Sequence, residues 1–347
     1  MNARLFGLLY PMAHFRNLIT DVAGLRIGNA HDAALGSGVT VALFDEPAVA
    51  SCSVMGGAPG TRETDLLDPD KVAPAIHGVV LSGGSAFGLD AASGVQAFLR
   101  EQGIGFAIRE AVVPLVSQAV VFDLINGGDK DWGRYPPYRE LGYEAARFAG
   151  ADFSLGTVGG GYGATTVNLK GGLGSASTQT SSGHTVGALV IVNSIASAVI
   201  GEGPHFWAGA LEEGGEFGGL GLPAGVTPDM RRLVWKGGPQ PSTTIALVAT
   251  DATLTKAQAK RLAVAAHAGL ARGLRFSHAL FDGDTIFAAA TGRRSLQDEA
   301  AEFTELTALA ADCLTRAIAR GVYEATALPF PAAQPAWRDR FGTPAGA

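Results

Sequence analysis

Apolar positions along the chain fall into two periods, and the switches between them mark out the elements. Short apolar runs bounded by glycine or other turn residues predict strands at Val22 to Ile27, Val39 to Phe44, Val79 to Leu81, Val112 to Leu124 and Leu189 to Val192. Two more come late in the chain, Thr243 to Asp251 and Thr285 to Ala290. Helical spacing takes over at Leu89, Ala92, Val95, Phe98 and Leu99, and again from about Glu140 to Phe148. A third helix carries Ala259, Leu262, Ala263, Ala266 and Leu270 on one face. Thr255-Lys256-Ala257-Gln258 opens it as a capping box, and Gly273 closes it. The last helix is expected from about Leu296 to Arg320, with Phe303, Leu306, Ala310, Cys313 and Ala317 on its buried stripe. From Pro329 onward a proline- and alanine-rich tail predicts extended chain. Core strands alternating with amphipathic helices give an α/β chain.

Composition narrows this picture. Over 347 residues, 47% hydrophobic content supplies a substantial core, and with no low-complexity divider the expectation is a single domain, 1–347. Glycine is abundant, 48 residues beside 8% aromatics and without a collagen period, which means tight turns and close backbone approaches around a site. A net charge of -6 and no basic run argue against nucleic acid or an anionic membrane as partner. Cys52 and Cys313 make neither a disulfide framework nor a zinc site, so a reducing, cytoplasmic setting is expected, with no metal and no cofactor. The apolar stretch Leu5 to Met12 is broken by Pro11 and is read as a short extension rather than a signal peptide.

Five places carry candidate chemistry. Gly237-Gly238-Pro239-Gln240-Pro241 delivers the chain through a constrained loop to Ser242-Thr243-Thr244 at a strand start. These threonines are ordinary β-formers, or Thr243 attacks its own preceding carbonyl and gains a free α-amine that serves its hydroxyl as base. Ser82-Gly83-Gly84-Ser85-Ala86-Phe87-Gly88 joins a strand to a helix without matching a phosphate loop or nucleophile elbow. Close packing and substrate lining are both open for it. Gly156 to Gly174 reads either as a flexible linker or, given Val158, Val167 and Leu169, as packed chain. Asn193, at the tip of a core strand, turns the chain or donates to a developing oxyanion. Asp282 and Asp284, two residues apart, form a surface turn or a hydrogen-bonded carboxylate chain. Beside these, Arg62-Glu63 is read as either a solvated pair or a site-lining one, and His267 as a satisfied core or boundary histidine.

Together the segments resemble the self-processing N-terminal-nucleophile hydrolases of the L-aminopeptidase/D-esterase type, whose relatives include β-peptidyl aminopeptidases and 6-aminohexanoate-oligomer hydrolases. The resemblance runs from about Ile19 to Gly292. It rests on Gly56 to Asp65, Leu81 to Leu89, Lys170-Gly171-Gly172-Leu173-Gly174, Thr243 to Asp251 and Asp282-Gly283-Asp284. It implies a four-layer αββα sandwich and self-cleavage between Ser242 and Thr243 into chains 1–242 and 243–347, with Thr243 as nucleophile. It also implies Asn193 at the oxyanion, Asp282 and Asp284 supporting the nucleophile, and Lys170 or Asn168 at the family's lysine position. Relatives commonly carry Asn or Gly where this chain has Ser242, and often a catalytic Tyr where it has Phe122. Tyr162 is a candidate source of that hydroxyl, and Ser85, Phe122 and Tyr162 are expected to line the substrate. The implied activity is hydrolysis of a small peptide or amide by a homo-oligomer of processed units. Two other classes compete: a non-catalytic assembly protein that keeps the fold, and a conventional serine hydrolase built on Ser85.

Overall fold

The computed structural model describes residues 15–237 and 242–342. The loop read at 238–241 and the apolar stretch 5–12 lie outside the described residues. In chain order the elements begin with β1 (Leu25–Asp32), β2 (Ser37–Val54), β3 (Thr61–Arg62), β4 (Ile76–Ser82), α1 (Ser85–Gly88) and α2 (Ala91–Glu101). Next come β5 (Phe106–Ile108), β6 (Ala111–Val113), β7 (Val116–Val120), α3 (Tyr138–Arg147), β8 (Leu173–Gln179) and β9 (Thr185–Asn193). The chain continues with β10 (Thr243–Ala252), α4 (Lys256–Gly273), β11 (Thr285–Arg294), α5 (Glu299–Tyr323) and α6 (Trp337–Phe341).

One long strand joins two sheets. The first half of β2 pairs with β1 and β4, and its second half pairs antiparallel with β11. The register with β4 breaks between Leu43 and Ala48, where exposed Asp45-Glu46-Pro47 interrupts the pairing. Strand order is β3-β7-β4-β2-β11-β10-β9-β8, with β1 beside β2.

Three apolar clusters separate the layers. Residues of α2 and α3 pack on the outer face of β2 and β4, and residues of α4 and α5 on the outer face of β9, β10 and β11. Between the sheets lie Ile27, Val79, Leu81 and Ala119 from one side and Leu189, Ile191, Ile245, Leu247 and Phe287 from the other. This is the αββα sandwich. Along β10 the period of two assigns Ile245, Leu247 and Ala249 to the inter-sheet layer, and Ala246 and Val248 to the helix side. Both faces are therefore buried, and the strand reads as one continuous apolar run.

Several expected boundaries shift for physical reasons. Val112 to Leu124 is two strands rather than one, because Pro114 cannot donate to a ladder. The flanking β5–β6 hairpin is exposed, whereas β7 is buried. The last helix starts at Glu299, where Asp298 caps it through the Ala301 N–H, and it continues to Tyr323. The tail is not simply extended. Trp337 is buried, its indole N–H donates to the Pro204 carbonyl at 3.0 Å, and its ring stacks on Phe206. The glycine stretch before β8 is packed chain: a Cβ at Gly160 would meet the Ile191 side chain at 2.3 Å and the Leu81 carbonyl at 2.7 Å. The capping box is present as read, with the Gln258 N–H on Thr255 Oγ1 and the Thr255 N–H on Gln258 Oε1.

Candidate active site

The inter-sheet layer ends in polar residues at the start of β10 and the end of β9. Thr243 and Asn193 are direct cross-strand partners, and the alternation along both strands puts their side chains on the same inter-sheet face as Ile245 and Ile191. Both are buried. The Asn193 amide is fixed at each end: its Oδ1 accepts from the Thr165 N–H at 3.0 Å, and its Nδ2 donates to the Phe122 carbonyl at 3.0 Å. An amide nitrogen carries two hydrogens, so a second donor is left for the face it shares with Thr243.

The peptide bond before Thr243 is held just as firmly. Ser242 is fully buried and bridges in parallel to Asp282, with its N–H on the Phe281 carbonyl at 3.1 Å. Its carbonyl oxygen receives the Gly283 N–H at 2.9 Å and the Thr243 hydroxyl at 2.5 Å. A side chain at residue 283 is excluded, since a Cβ there would stand 2.6 Å from Thr243 Oγ1 and 2.9 Å from the Ala58 carbonyl.

Asp284 anchors the neighbouring residues. One carboxylate oxygen accepts from the Thr244 N–H and the other from the His278 N–H, both at 2.9 Å. Asp282 is buried beside it. Burial first, then the Asp284 charge and a hydrogen bond between the two carboxyls, raise Asp282 well above the ordinary carboxylate range, with Lys236 opposing. The Gly56 to Asp65 motif packs against this turn: Met55 and Gly56 N–H groups reach the Asp284 carbonyl, and the Ala58 N–H reaches that of Asp282. Arg62 is turned elsewhere, to Leu89, Ser93 and Gln96, and ties the motif to the helix layer.

Lys170 is buried and gives all three ammonium hydrogens to backbone carbonyls, those of Gly161, Ala164 and Gly171. Burial lowers it to about 7. Asn168 faces a different cavity from the one Lys170 lines. The glycines after β4 permit close approach: the Gly84 N–H donates to Asp123 Oδ1 at 2.8 Å, and a Cβ on Gly83 would sit 2.2 Å from Asp123 Oδ2. Ser85 follows with a left-handed φ of 51° and its N–H on the Val121 carbonyl. Tyr162 stacks on His31 at 4.4 Å and does not line the cleft beside Asn193.

That cleft, about 340 Å³, is lined by Phe122, Asp123, Thr165, Lys170, Lys236 and Gln334, among others. Phe122 and Thr165 are the two residues that hold the Asn193 amide, so the cleft opens beside it. Lys236 is half-buried and donates to the Thr165 carbonyl at 2.9 Å. Burial lowers its ammonium to about 7 against the attraction of Asp282. Sequence reasoning passed over Lys236 and the contact of His278 with Asp284, since neither sits in a recognisable motif. Their one signal is position, Lys236 six residues before Ser242 and His278 four before Asp282. His267, expected to be a satisfied core histidine, is buried with its Nε2 at 3.1 Å from the Ser53 carbonyl. Among the described residues no cluster of His, Cys, Asp and Glu is arranged to hold a metal, and no helix is long and apolar enough to cross a membrane.

A buried hydroxyl at a strand start, a fixed amide facing it and paired carboxylates beneath it suit acyl transfer. Comparison with known proteins agrees. The chain is 42% identical over 346 residues to an uncharacterized aminopeptidase of Mycobacterium tuberculosis, covering 94% of this chain and 98% of that one. It is 25% identical over 276 residues to a 6-aminohexanoate-oligomer endohydrolase of Kocuria sp., covering 78% and 74%. Its fold matches the L-aminopeptidase D-Ala-esterase/amidase of Ochrobactrum anthropi, a variant of the Ntn hydrolase fold, with a TM-score of 0.68 at 20% identity over 93% of this chain and 91% of that one. The model of peptidase family S58 matches residues 17–334. By both the extent of that match and the sandwich that carries Thr243 and Asn193, the chain belongs to peptidase family S58, hydrolases of the aminopeptidase and amidase type.

Proposed function

We propose that the chain activates itself by cleaving the Ser242–Thr243 bond and that Thr243 then acts as the N-terminal nucleophile of an aminopeptidase or amidase. The observation that carries the reading is the convergence of the Thr243 hydroxyl and the Gly283 N–H on the Ser242 carbonyl. Thr243 Oγ adds to the Ser242 carbonyl carbon, and the Gly283 N–H holds the charge that develops on its oxygen. Collapse breaks the C–N bond, the Thr243 nitrogen takes up a proton, and Ser242 is left as an ester on Oγ. Water hydrolyses the ester, releasing a carboxylate on Ser242 and a free α-amine on Thr243.

In turnover that amine accepts the Oγ proton as the hydroxyl attacks the substrate carbonyl. The second Asn193 N–H donates to the oxyanion, and Asp284 fixes the strand by holding the Thr244 N–H. The leaving amine departs protonated, and water releases the acyl group from Oγ. Substrates are short amides that fit the cleft between Phe122 and Lys236. Self-association of processed units in the cytoplasm belongs to the same reading, supported by the exposed apolar hairpin with Phe106, Ile108 and Val113.

Intact mass of the purified protein, followed over time beside Thr243→Ala, tests this. Two fragments are expected from the wild type, divided between residues 242 and 243, and none from the variant. A wild-type chain that hydrolyses amides while remaining full length overturns the mechanism.

A further inference from the structure

The tail supplies one wall of the cleft beside Asn193. Leu328, Pro331, Ala332, Ala333 and Gln334 all line it, and they follow α5, in the part of the chain that carries Thr243. Anchors on either side hold this wall against the part of the chain before Ser242. Leu328 is buried, and the Phe330 side chain covers two glycines so closely that a Cβ on Gly36 would meet it at 2.7 Å and one on Gly127 at 2.8 Å. Gln334 Nε2 donates to the Val167 carbonyl at 3.3 Å, and the Pro335 carbonyl accepts from the Lys170 N–H at 2.8 Å. Between these anchors Ala332 takes a left-handed φ of 60°. Alanine does not choose that region on its own, so the anchors dictate the backbone of the wall.

Pro331 and Ala332 are exposed and Ala333 is half-buried, and none of the three brings a charge or a side-chain hydrogen-bonding group to the cleft. A space of about 340 Å³ is about 7 Å on an edge, so carbon added to this wall takes room that a bound molecule needs. The N-terminal residue of an amide substrate ends at its own amine, whereas the leaving part continues as chain. A small space with a pinned wall therefore suits the acyl residue. A charged side chain laid against that wall loses hydration and gains no hydrogen bond there, which selects against it. We propose that Ala332 and Ala333 set the size of the acyl residue, admitting a short, uncharged aliphatic side chain and stopping a larger one. The proposal rests on the reading of the chain as an aminopeptidase or amidase acting through Thr243, and adds its substrate class.

Steady-state kinetics with the p-nitroanilides of L-alanine, L-leucine and L-phenylalanine test it, with the intact mass of each preparation recorded alongside. The wild type is expected to show a kcat/KM at least tenfold higher for the alanine and leucine compounds than for the phenylalanine one. Ala333→Leu should lower the leucine-to-alanine ratio of kcat/KM at least tenfold, and Ala333→Gly should raise the phenylalanine-to-leucine ratio several-fold, each in protein whose circular dichroism matches the parent. Should Ala333→Leu fail to fold, Ala333→Gly decides. Ratios unchanged in the folded variants overturn the proposal. So does a change that follows the leaving group, p-nitroaniline against the ammonia of L-leucinamide, because the wall then meets the other side of the scissile bond. A processed wild type that turns over none of the compounds overturns it too. A wild type that stays full length yet shows the expected ratios overturns the self-cleavage mechanism alone, whereas a processed, active enzyme with unchanged ratios overturns the tail's role alone.

Discussion

His278 meets Asp284 twice: its backbone N–H donates to Asp284 Oδ2 at 2.9 Å, and its ring Nδ1 stands 2.9 Å from the same oxygen. The residue adopts a left-handed φ of 63° to do so, and its ring rests edge-on against buried His267 at 4.8 Å. A non-glycine residue held in that region marks a place where the surroundings dictate the backbone. The other oxygen of Asp284 holds the Thr244 N–H, so the histidine backbone braces the carboxylate that holds the neighbour of Thr243. His278→Asn tolerates the left-handed backbone and removes the ring. Because the ring Nδ1 is close to the carboxylate but makes no hydrogen bond to it, the variant loses packing and proximity only and is expected to lower kcat by less than about 10-fold, with KM little changed. Steady-state kinetics of the processed enzyme check this, and wild-type kcat in the variant would leave the ring without a role.

Gly283 supplies the N–H at the Ser242 carbonyl and leaves room for the Thr243 hydroxyl. Gly283→Ala puts a methyl 2.6 Å from Thr243 Oγ1 and 2.9 Å from the Ala58 carbonyl, so one of them must move. Self-cleavage is expected to slow by about 100-fold or more, the scale of losing one oxyanion donor. Time-resolved intact mass reads the rate. Cleavage at the wild-type rate would show that the close approach at residue 283 is irrelevant to the reaction.

The layers were legible in the sequence wherever one face of an element is polar: the stripe of α4, its capping box at Thr255 and Gln258, and the stripe of α5 all stand where the periodicity puts them. Strand β10 was legible only as a strand. Its two faces are both buried, so no alternation announces which of Thr243 and Thr244 faces the inter-sheet layer. That assignment needs the antiparallel register with β9, which pairs Thr243 with Asn193 across 50 residues of chain. Pro114 was visible but hidden inside an apolar run, and the break it makes was missed. Lys236 gave no signal beyond its position before Ser242, because its place depends on Thr165 and Asp282, which are distant in sequence.

Asp282 predicts a pH dependence of stability. Its carboxyl is raised in the folded protein by burial and by Asp284, so the folded state holds a proton that the unfolded state releases from the ordinary carboxylate range, about pH 4, upward. Stability is therefore full at low pH and lost as pH rises toward the raised value. Asp282→Asn carries no such proton. In uncleaved Thr243→Ala protein, the added Asp282→Asn change is expected to flatten the fall of Tm between about pH 5 and 8. Calorimetric scans across that range decide, and parallel profiles would rule out Asp282 as the group responsible.

Two lysines line the same cleft and do different work. Lys170 spends every ammonium hydrogen on the carbonyls of the glycine stretch, whereas Lys236 has one bond among the described residues, to Thr165, and carries its charge toward Asp282. Replacing the first takes a donor from three carbonyls in a buried turn, of which Gly161 and Ala164 keep a backbone N–H, and replacing the second mainly alters the potential in the cleft. Lys170→Met is accordingly expected to destabilise the fold by about 3 kcal/mol or more, with a Tm lower by several degrees. Lys236→Met, at a half-buried position, should keep Tm within about 2 °C, since it removes one partner and relieves the desolvation of a cation. Its effect is expected in turnover instead: without the ammonium, Asp282 holds its proton to higher pH, and the limb of the kcat/KM profile that Asp282 sets shifts upward. Tm and a pH–rate profile for each variant separate the two. A Lys236→Met enzyme with a collapsed Tm, or with a pH profile matching the wild type, would place it with Lys170 as part of the scaffold.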